Sequence, residues 1–323
     1  MLNQQQATGI GGNHDAEWPV ARRGLVLGLA VALWACLVSG KALTTPFSGL
    51  VSIADGEPFT IVRRDKLLTG SRGVTLTDGD IVTTGPGALV LIESQKGNLL
   101  AIGPSTDAYV VQTADLTVLR IHKGWVKAHI KAGGVRLEGT RLGIEAPRAE
   151  AVLLLHADER SDAVFDEQGS ARLVLRDEAG AHHDRETAAN QFFDREERSD
   201  VRSRLGPSGE FVRTMPLAFR DPLPAHLEAS PVEPRLARAV NYSDIQAWLT
   251  SARDWRGGFI ARFRDRLKDP AFFAAMDAHL TLFPEWREIL HPPPPPDSRS
   301  GGSRPEPKPT PPERNTEQSQ EPR

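Results

Sequence analysis

Between Phe47 and Val174 the sequence consists of short apolar runs separated by glycine-containing turns, and this spacing constrains the fold more than any other feature. The runs are rich in valine, isoleucine and leucine, and they are too short for ordinary helices. Their spacing favours an antiparallel β-sandwich or roll over alternating βαβ units. The runs are GLVSIA, PFTIVRR, GVTLT, DIVTTG, ALVLIES, NLLAIG, DAYVVQT, LTVLRI, GWVKAHI, GVRLEG, AVLLLHA and ARLVLR.

Several runs alternate in a way that assigns residues to the two faces of a strand. Successive side chains of a strand point to opposite faces, so every second residue shares a face. We expect one face of each strand to pack in a core and the other to meet water. In the run from Trp125, one face carries Trp125, Lys127 and His129, and the other carries Val126, Ala128 and Ile130.

Glycine and aspartate at the turns predict structural roles. In Asp78-Gly79-Asp80 the Asp-Gly step supplies the positive φ of a tight hairpin. A carboxylate pair or a calcium loop is the alternative for these aspartates, but a calcium loop needs further oxygen ligands in sequence. The residues assigned to the structural motif are Gly73, Asp78, Gly79, Asp80, Thr84, Gly85, Gly97, Pro104 and Gly124.

The N-terminus predicts export. Residues 1–21 are polar and form a predicted disordered leader, and residues 22–42 form a predicted signal peptide or membrane anchor. Arg22 and Arg23 precede an uncharged stretch that ends at Gly40. A helix of this length rises only about 25 Å, so cleavage near Gly40 or Ala42, retention, and lipidation at Cys36 all stay open, with cleavage favoured. We therefore expect the body in the periplasm of a Gram-negative bacterium, or in the inner membrane with a periplasmic domain.

Composition excludes several classes of site and partner. Cys36 is the one cysteine, and it lies inside the apolar stretch, so the body can form no internal disulfide and no thiolate metal site. The net charge of −3 gives no basic excess to hold a phosphate backbone. Nucleic acid is therefore not an expected partner.

The C-terminal part changes from strand to helix patterning. We predict a β domain over 47–176, an exposed hairpin or linker over 177–208, a helical region over 209–291 and a disordered Pro-rich tail over 292–323. A capping box at Ser243-Asp244-Ile245-Gln246 and a cap followed by proline at Asp269-Pro270 indicate helix starts. Most aromatic residues of this region are expected in a helical core. Trp255 and Trp286, which lie beside turns or charges, are predicted as exposed partner contacts.

The stretch from Phe59 to about Gly124 resembles the FecR family of periplasmic domains. The resemblance rests on the segments IVRR, GVTLTDGDIVTTG, ALVLIESQKGNLLAIGPST and LTVLRIHKGWVK in this order. It implies a periplasmic β fold; the helical region is similar to that of a branch of FecR-domain proteins. Signalling members of the family carry an anti-sigma region before the membrane segment. Only about 21 residues precede Arg22 here, too few to bury a core, so the resemblance does not extend to anti-sigma function.

Motifs for catalysis are missing from the sequence. It contains no Gly-x-Ser-x-Gly elbow, Walker loop or dinucleotide-binding glycine motif. His182-His183-Asp184, with His156 and Asp158, is the nearest approach to a metal cluster, but its spacing favours a solvated loop. We therefore expect no catalytic residue, no metal and no cofactor.

These observations favour a non-catalytic envelope module for interaction or sensing. Its affinity would come from a β surface or an exposed sheet edge, and its partner would be an envelope protein or polymer of unknown identity. One alternative is a membrane-anchored regulator of the FecR type, which would also contact the inner membrane. A less favoured alternative is an enzyme acting on cell wall or glycan, which would need paired carboxylates in a cleft.

Overall fold

The computed structural model describes residues 48–113, 116–147, 150–176, 182–197, 199–225 and 228–293. The predicted leader, the signal or anchor segment with Cys36, and the tail from residue 294 lie outside these ranges. Contacts between Cα atoms separate Met1–Thr45 from a second unit, Pro46–Arg323, to which all described residues belong. Within those ranges no helix combines the length and the apolar character needed to cross a membrane.

Strands dominate the structure up to Leu205, and helices follow. The strands are β1 Ser48–Asp55, β2 Thr60–Arg63, β3 Lys66–Thr69, β4 Thr75–Thr77, β5 Ile81–Thr83, β6 Leu89–Ser94, β7 Leu99–Ile102, β8 Asp107–Gln112, β9 Leu116–Ile130, β10 Gly134–Glu138, β11 Leu142–Ala146, β12 Ala151–Ala157, β13 Ser161–Gly169, β14 Arg172–Arg176, β15 His182–Glu186, β16 Gln191–Glu196, β17 Arg202–Leu205 and β18 Arg235–Ala239. The α-helices are α1 Gly209–Thr214, α2 Tyr242–Leu249, α3 Phe259–Phe263, α4 Pro270–Ala278 and α5 Arg287–Leu290. Short 3₁₀ turns occupy Leu217–Phe219, Arg264–Lys268, Leu280–Leu282 and Pro284–Trp286.

The strands form two packed sheets, which confirms the prediction of a mainly antiparallel β-sandwich or roll. Sheet A runs β4-β1-β6-β7-β9-β12-β13-β16-β17. Sheet B runs β18-β3-β2-β5-β8-β9-β10-β11-β14-β15. The pairing of β9 with β10 is parallel, and the other pairings between these strands are antiparallel.

The long strand β9 belongs to both sheets. Its first half pairs with β8 and β10 in sheet B, and the half from Gly124 pairs with β7 and β12 in sheet A. Gly124 has a φ of +101°, and a Cβ there would lie 2.5 Å from the Cα of Thr106. Only glycine fits this close approach, so Gly124 is the point at which the strand passes between sheets.

The core between the sheets is apolar. Val126, Ala128 and Ile130 of sheet A pack in one buried cluster with Leu119 and Ile121 of sheet B. Val126, Ala128 and Ile130 are the face of β9 that the alternation separates from Trp125 and Lys127. Their burial supplies the hydrophobic stabilisation that a chain without disulfides in its body requires.

The outer face of sheet B is covered by a helical layer, defined as residues 240–290. Val62 and Ile81 of the sheet belong to one buried cluster with Trp248 and other residues of this layer. The prediction that Trp255 and Trp286 are exposed partner contacts is wrong, because their side chains are 2% and 1% exposed in this layer. Apolar residues on the outer face of a sheet need a cover, and the tryptophans provide it.

The outer face of sheet A is covered by a strap, defined as residues 208–223. Phe211 and Phe219 of the strap pack on Trp125. Lys127 beside it is also buried: its Nζ donates to the carbonyl oxygens of Phe219 at 2.8 Å and Asp221 at 3.2 Å. The expectation that one face of this strand meets water is therefore wrong, because the strap covers that face.

The helix starts agree with the sequence in one case and differ in another. Asp269 caps α4, and its Oδ1 accepts from the N–H of Ala271 at 3.0 Å. Helix α2 begins at Tyr242, with Asn241 as its N-cap in place of Ser243. The Asp244 carboxylate accepts the Asn241 N–H at 2.7 Å, so the capping box lies two residues earlier than predicted, with Asp244 as its acidic member.

Candidate functional site

The predicted Asp-Gly turn is a structural junction. Asp80 is buried, and its carboxylate accepts from Arg63 Nε at 2.9 Å and from the Thr77 N–H at 2.8 Å. Gly79 has a φ of +84°, and Asp78 accepts the N–H of Gln112 at 2.8 Å. The carboxylates are thus occupied by strand and turn partners.

The other motif residues also form turns and strand crossings. Thr84 Oγ1 donates to the Gly103 carbonyl at 2.7 Å and accepts the Thr106 N–H at 2.9 Å. The Gly85 carbonyl accepts the N–H of Ser105, which follows Pro104, at 2.9 Å. Gly73 donates to the Val51 carbonyl at 2.8 Å, and Gly97 has a φ of +76° in the β6–β7 hairpin.

A cavity of about 930 Å³ lies between this turn and α3. Arg262 in its lining already has hydrogen-bond partners. Arg262 donates to the carbonyl oxygens of Val62, Arg64 and Gly79 at 2.7 to 2.8 Å. Burial lowers the pKa of Arg262. We assign Arg262 as the anchor of the helical layer on sheet B.

The histidine and aspartate group predicted as a solvated loop divides between two places. The His156 ring lies 4.3 Å from the Trp125 ring, and burial lowers the pKa of His156. Asp158 accepts the N–H groups of Arg160 and Ser161 at 2.7 and 2.6 Å, whereas His183 and Asp184 lie on β15 of the other sheet. The part of the chain with described coordinates holds no group of three or more His, Cys, Asp or Glu side chains that could bind a metal ion.

Asp162 is a buried carboxylate on β13. Its Oδ2 accepts the N–H groups of Arg141 at 2.5 Å and Leu142 at 2.9 Å, which fixes the β10–β11 turn. Burial raises the pKa of Asp162 to about 6. The two backbone donors give this carboxylate a structural role.

Sheet A ends at β17, and this open edge is the candidate functional site. Among the described strands, β17 pairs with β16 alone, in a register that places Arg202 opposite Asp194 and Arg204 opposite Phe192. The N–H of Gly206 donates to the Asn190 carbonyl at 2.8 Å, which marks a hydrogen-bonded pair in the same register.

This register identifies which backbone groups face outward. Opposed residues in an antiparallel pair alternate between hydrogen-bonded and non-hydrogen-bonded positions. Counting back from Gly206, Arg204 and Arg202 bond to β16, whereas Ser203 and Leu205 direct their N–H and C=O groups to the open edge. An edge of this kind is a template for pairing with another strand.

The arginine side chains of β17 leave that edge clear. Arg202 Nε donates to Asp194 at 2.8 Å, and its Nη2 donates to Glu196 at 2.7 Å. The Arg204 guanidinium lies 5.2 Å from the centre of the Phe192 ring. Both arginines therefore fold back over β16 on the outer face of sheet A. Sheet B has two edge strands in the described part of the chain: β18 is interrupted by a bulge between Leu236 and Arg238, and β15 continues a row of paired charges.

A cleft of about 710 Å³ adjoins β17 on the outer face of sheet A. Its lining includes Arg202, Arg204 and Phe211 of the strap. Three of the six large apolar side chains found exposed in the described part of the chain lie nearby in sequence: Leu205, Val212 and Leu217. Leu205, on the open edge itself, is 79% exposed. The open edge, with the exposed Leu205, therefore adjoins a cleft.

Sequence reasoning missed this site because each of its parts depends on register. The run Arg-Ser-Arg-Leu fell within the predicted linker, and its alternation of charged and other residues was the available signal.

Comparisons with known proteins add little to this geometry. No family model matches the chain, and no curated protein matches it. Two crystal structures of a candidate anti-sigma factor from Parabacteroides distasonis ATCC 8503 align with 39% of this chain at 9% identity and a TM-score of 0.34. The aligned part spans 59% of that protein's chain. A likeness at this level carries no argument about fold or function.

Proposed function

We propose that this chain is a non-catalytic binding module that takes up an extended segment of another protein by strand addition at β17. One observation carries the proposal: within the described residues, the outward backbone groups of Ser203 and Leu205 pair with no strand, at an edge that the neighbouring side chains leave clear. Main-chain hydrogen bonds give affinity in this mode of recognition, and alternate side chains give specificity.

The module operates outside the cytoplasm in this proposal. The support is the sequence of the N-terminus, where Arg22 and Arg23 precede an apolar stretch in the order of an export signal. The partner is then an envelope protein. The resemblance of residues 59–124 to FecR periplasmic domains supports the same location.

The non-catalytic part of the proposal rests on the buried carboxylates. Asp80 and Asp162 accept hydrogen bonds from backbone N–H groups, and Asp80 also binds Arg63. Glycoside hydrolysis instead requires two carboxyl groups facing each other across a cleft. Both oxygens of Asp80 and Oδ2 of Asp162 are engaged in such bonds.

Regulation of the FecR type is the second candidate function, favoured by the sequence resemblance. It would use the same edge, but it requires that residues 22–42 stay attached as an anchor. The mass of the mature protein tests this: full-length protein in the membrane fraction supports regulation, and a soluble product beginning near Lys41 or Leu43 contradicts it.

Proline at position 203 tests strand addition directly. Ser203→Pro removes an outward N–H without removing a bond to β16, and Ser203→Ala is the matched control because it keeps that N–H. Peptides selected from a random display library on the full chain should bind wild type and Ser203→Ala equally, and bind Ser203→Pro at least about tenfold more weakly. Equal binding to Ser203→Pro, with the circular dichroism spectrum unchanged, would contradict the proposal.

A further inference from the structure

We infer that the segment added at β17 alternates acidic and apolar residues, with its acidic side chains opposite Arg202 and Arg204. The inference rests on the proposed function and specifies the chemistry of the partner. It is drawn from the way this molecule pairs charges across neighbouring strands.

Sheet B contains the pattern on which the inference is based. The registers of β10, β11, β14 and β15 place Arg136 opposite Glu145, Glu145 opposite Arg172, and Arg172 opposite Glu186. Arg136 Nε donates to Glu145 at 2.7 Å, and Arg172 lies 3.5 Å from Glu145 and 3.8 Å from Glu186. Charges on this face therefore alternate from strand to strand, as cross-strand pairing favours.

Sheet A begins the same alternation and stops after two strands. Asp194 and Glu196 of β16 are followed by Arg202 and Arg204 of β17. Directly opposed residues share a face, so a strand added to β17 would place its outer side chains beside the two arginines. Acidic residues there extend the series, and basic residues would repel.

The arginines have capacity for a further carboxylate. Their side chains are 57% and 46% exposed. Within the described ranges Arg204 donates one hydrogen bond, to Asp194 Oδ1 at 3.3 Å, whereas a guanidinium carries five N–H donors. A carboxylate on the added strand can take up the remaining donors of Arg204.

The opposite face of β17 selects apolar residues. Val201, just before β17, packs against the core between the sheets. Leu205, four residues later, lies exposed on the same face. An apolar side chain of the added strand would cover Leu205 and remove its surface from water. The two faces together define an alternating acidic and apolar segment.

Two synthetic nine-residue peptides test the inference. The acidic peptide alternates glutamate with valine, and the basic peptide has lysine at every glutamate position. Binding of each fluorescent peptide to the full chain is measured by anisotropy. We expect the acidic peptide to bind about tenfold more tightly at low salt, with the ratio falling as salt rises because the arginines are exposed.

Variants assign the preference to the two arginines. Arg202→Gln with Arg204→Gln should reduce the ratio to within about twofold. The matched control, Lys66→Gln with Lys268→Gln, removes two exposed positive charges from β3 and the helical layer and should leave the ratio unchanged. Loss of the ratio in the control would overturn the assignment.

The outcomes separate this inference from the proposed function. Equal binding of both peptides, abolished by Ser203→Pro, would overturn the acidic preference and leave strand addition standing. Preference for the basic peptide would also overturn the inference. Binding of neither peptide would overturn the inference, and the library peptides would then decide strand addition separately. A dimer in light scattering that Ser203→Pro dissociates would overturn both, because the edge would then be filled by a second copy.

Discussion

The two outer faces of the sandwich are covered differently. On sheet B a helical layer packs Trp248, Trp255 and Trp286 over the sheet, and Arg262 anchors it through three backbone carbonyls. On sheet A a strap of 16 residues, 208–223, covers the face, and Lys127 of the sheet donates a hydrogen bond to the strap at the Phe219 carbonyl. Each cover packs on apolar residues that point outward from its sheet.

The ends of the two sheets differ as well. The β15 end of sheet B carries charges that are paired across β10, β11, β14 and β15, from Arg136 to Glu186. The end of sheet A carries one row of arginines, an exposed Leu205 and a cleft. This difference is the basis of the proposal that partners bind at the β17 end of sheet A, while the two covers stabilise the fold.

The largest expected effect comes from the helical layer. Trp248→Ala should lower the free energy of unfolding by about 3–5 kcal/mol, because the ring is buried against Tyr109, His122 and Trp255. Chemical denaturation measures this. The control Leu282→Ala, at a half-exposed position, should change stability by no more than about 0.5 kcal/mol. A similar loss in both variants would show that the helical layer does not pack on sheet B as described.

The strap should depend on Lys127. Lys127→Met leaves the carbonyl oxygens of Phe219 and Asp221 and the carboxylate of Glu167 without their cation, at a cost of about 2–3 kcal/mol. Hydrogen exchange should accelerate at the strap and not at α2. The control Lys123→Met, at an exposed pair with Asp107, should leave the exchange of the strap unchanged. Uniform acceleration over both covers would contradict a separate strap.

The sandwich interior between the covers should respond to pH through Asp162. Because burial raises the pKa of this carboxyl to about 6, the folded chain holds its proton more tightly than the unfolded chain does. This stabilisation is fully present below about pH 4 and is lost as pH rises through 6, an effect of about 3 kcal/mol for two pKa units.

Asp162→Asn isolates that effect. The free energy of unfolding of wild type should fall between pH 4 and 7 through Asp162, and that of the variant should lack this fall. The difference between the two proteins should therefore change steeply over this range. Burial lowers the pKa of His122 and His156, whose contributions are instead lost as pH falls, and these cancel in the comparison. Parallel stability curves for the two proteins would contradict the account of Asp162.

The smallest effect on stability is expected at the edge. Ser203→Pro should change the free energy of unfolding by less than about 1 kcal/mol, because the N–H that it removes bonds to no described strand. The same change should weaken peptide binding at least about tenfold. Thermal unfolding separates the two: a large drop in Tm would show that Ser203 bonds to β16.

The sequence predicted the strands better than their surroundings. Alternation in β9 identified Val126, Ala128 and Ile130 as one face, and the structure buries them. It could not show that Trp125 is buried on the other face, because its cover is the strap, at Phe211 and Phe219. Local patterns specify which residues share a face and not what comes to lie on it.

The same limit applies to the site. Trp255 looked exposed beside its charged neighbours, but it lies under Arg120 and Arg176 in the helical layer. The edge at β17 depends on the strand order of sheet A and on the register with β16, which a single sequence does not reveal. The turn residues were predictable because an Asp-Gly step requires no distant partner.

Amide hydrogen exchange at β17 tests the central claim most directly. In the free chain the N–H groups of Arg202 and Arg204 should exchange slowly and those of Ser203 and Leu205 quickly. Saturating acidic peptide should slow Ser203 and Leu205 and leave Arg202 and Arg204 unchanged. Slow exchange of Ser203 and Leu205 in the free chain, or no change with bound peptide, would contradict an open edge that accepts a strand.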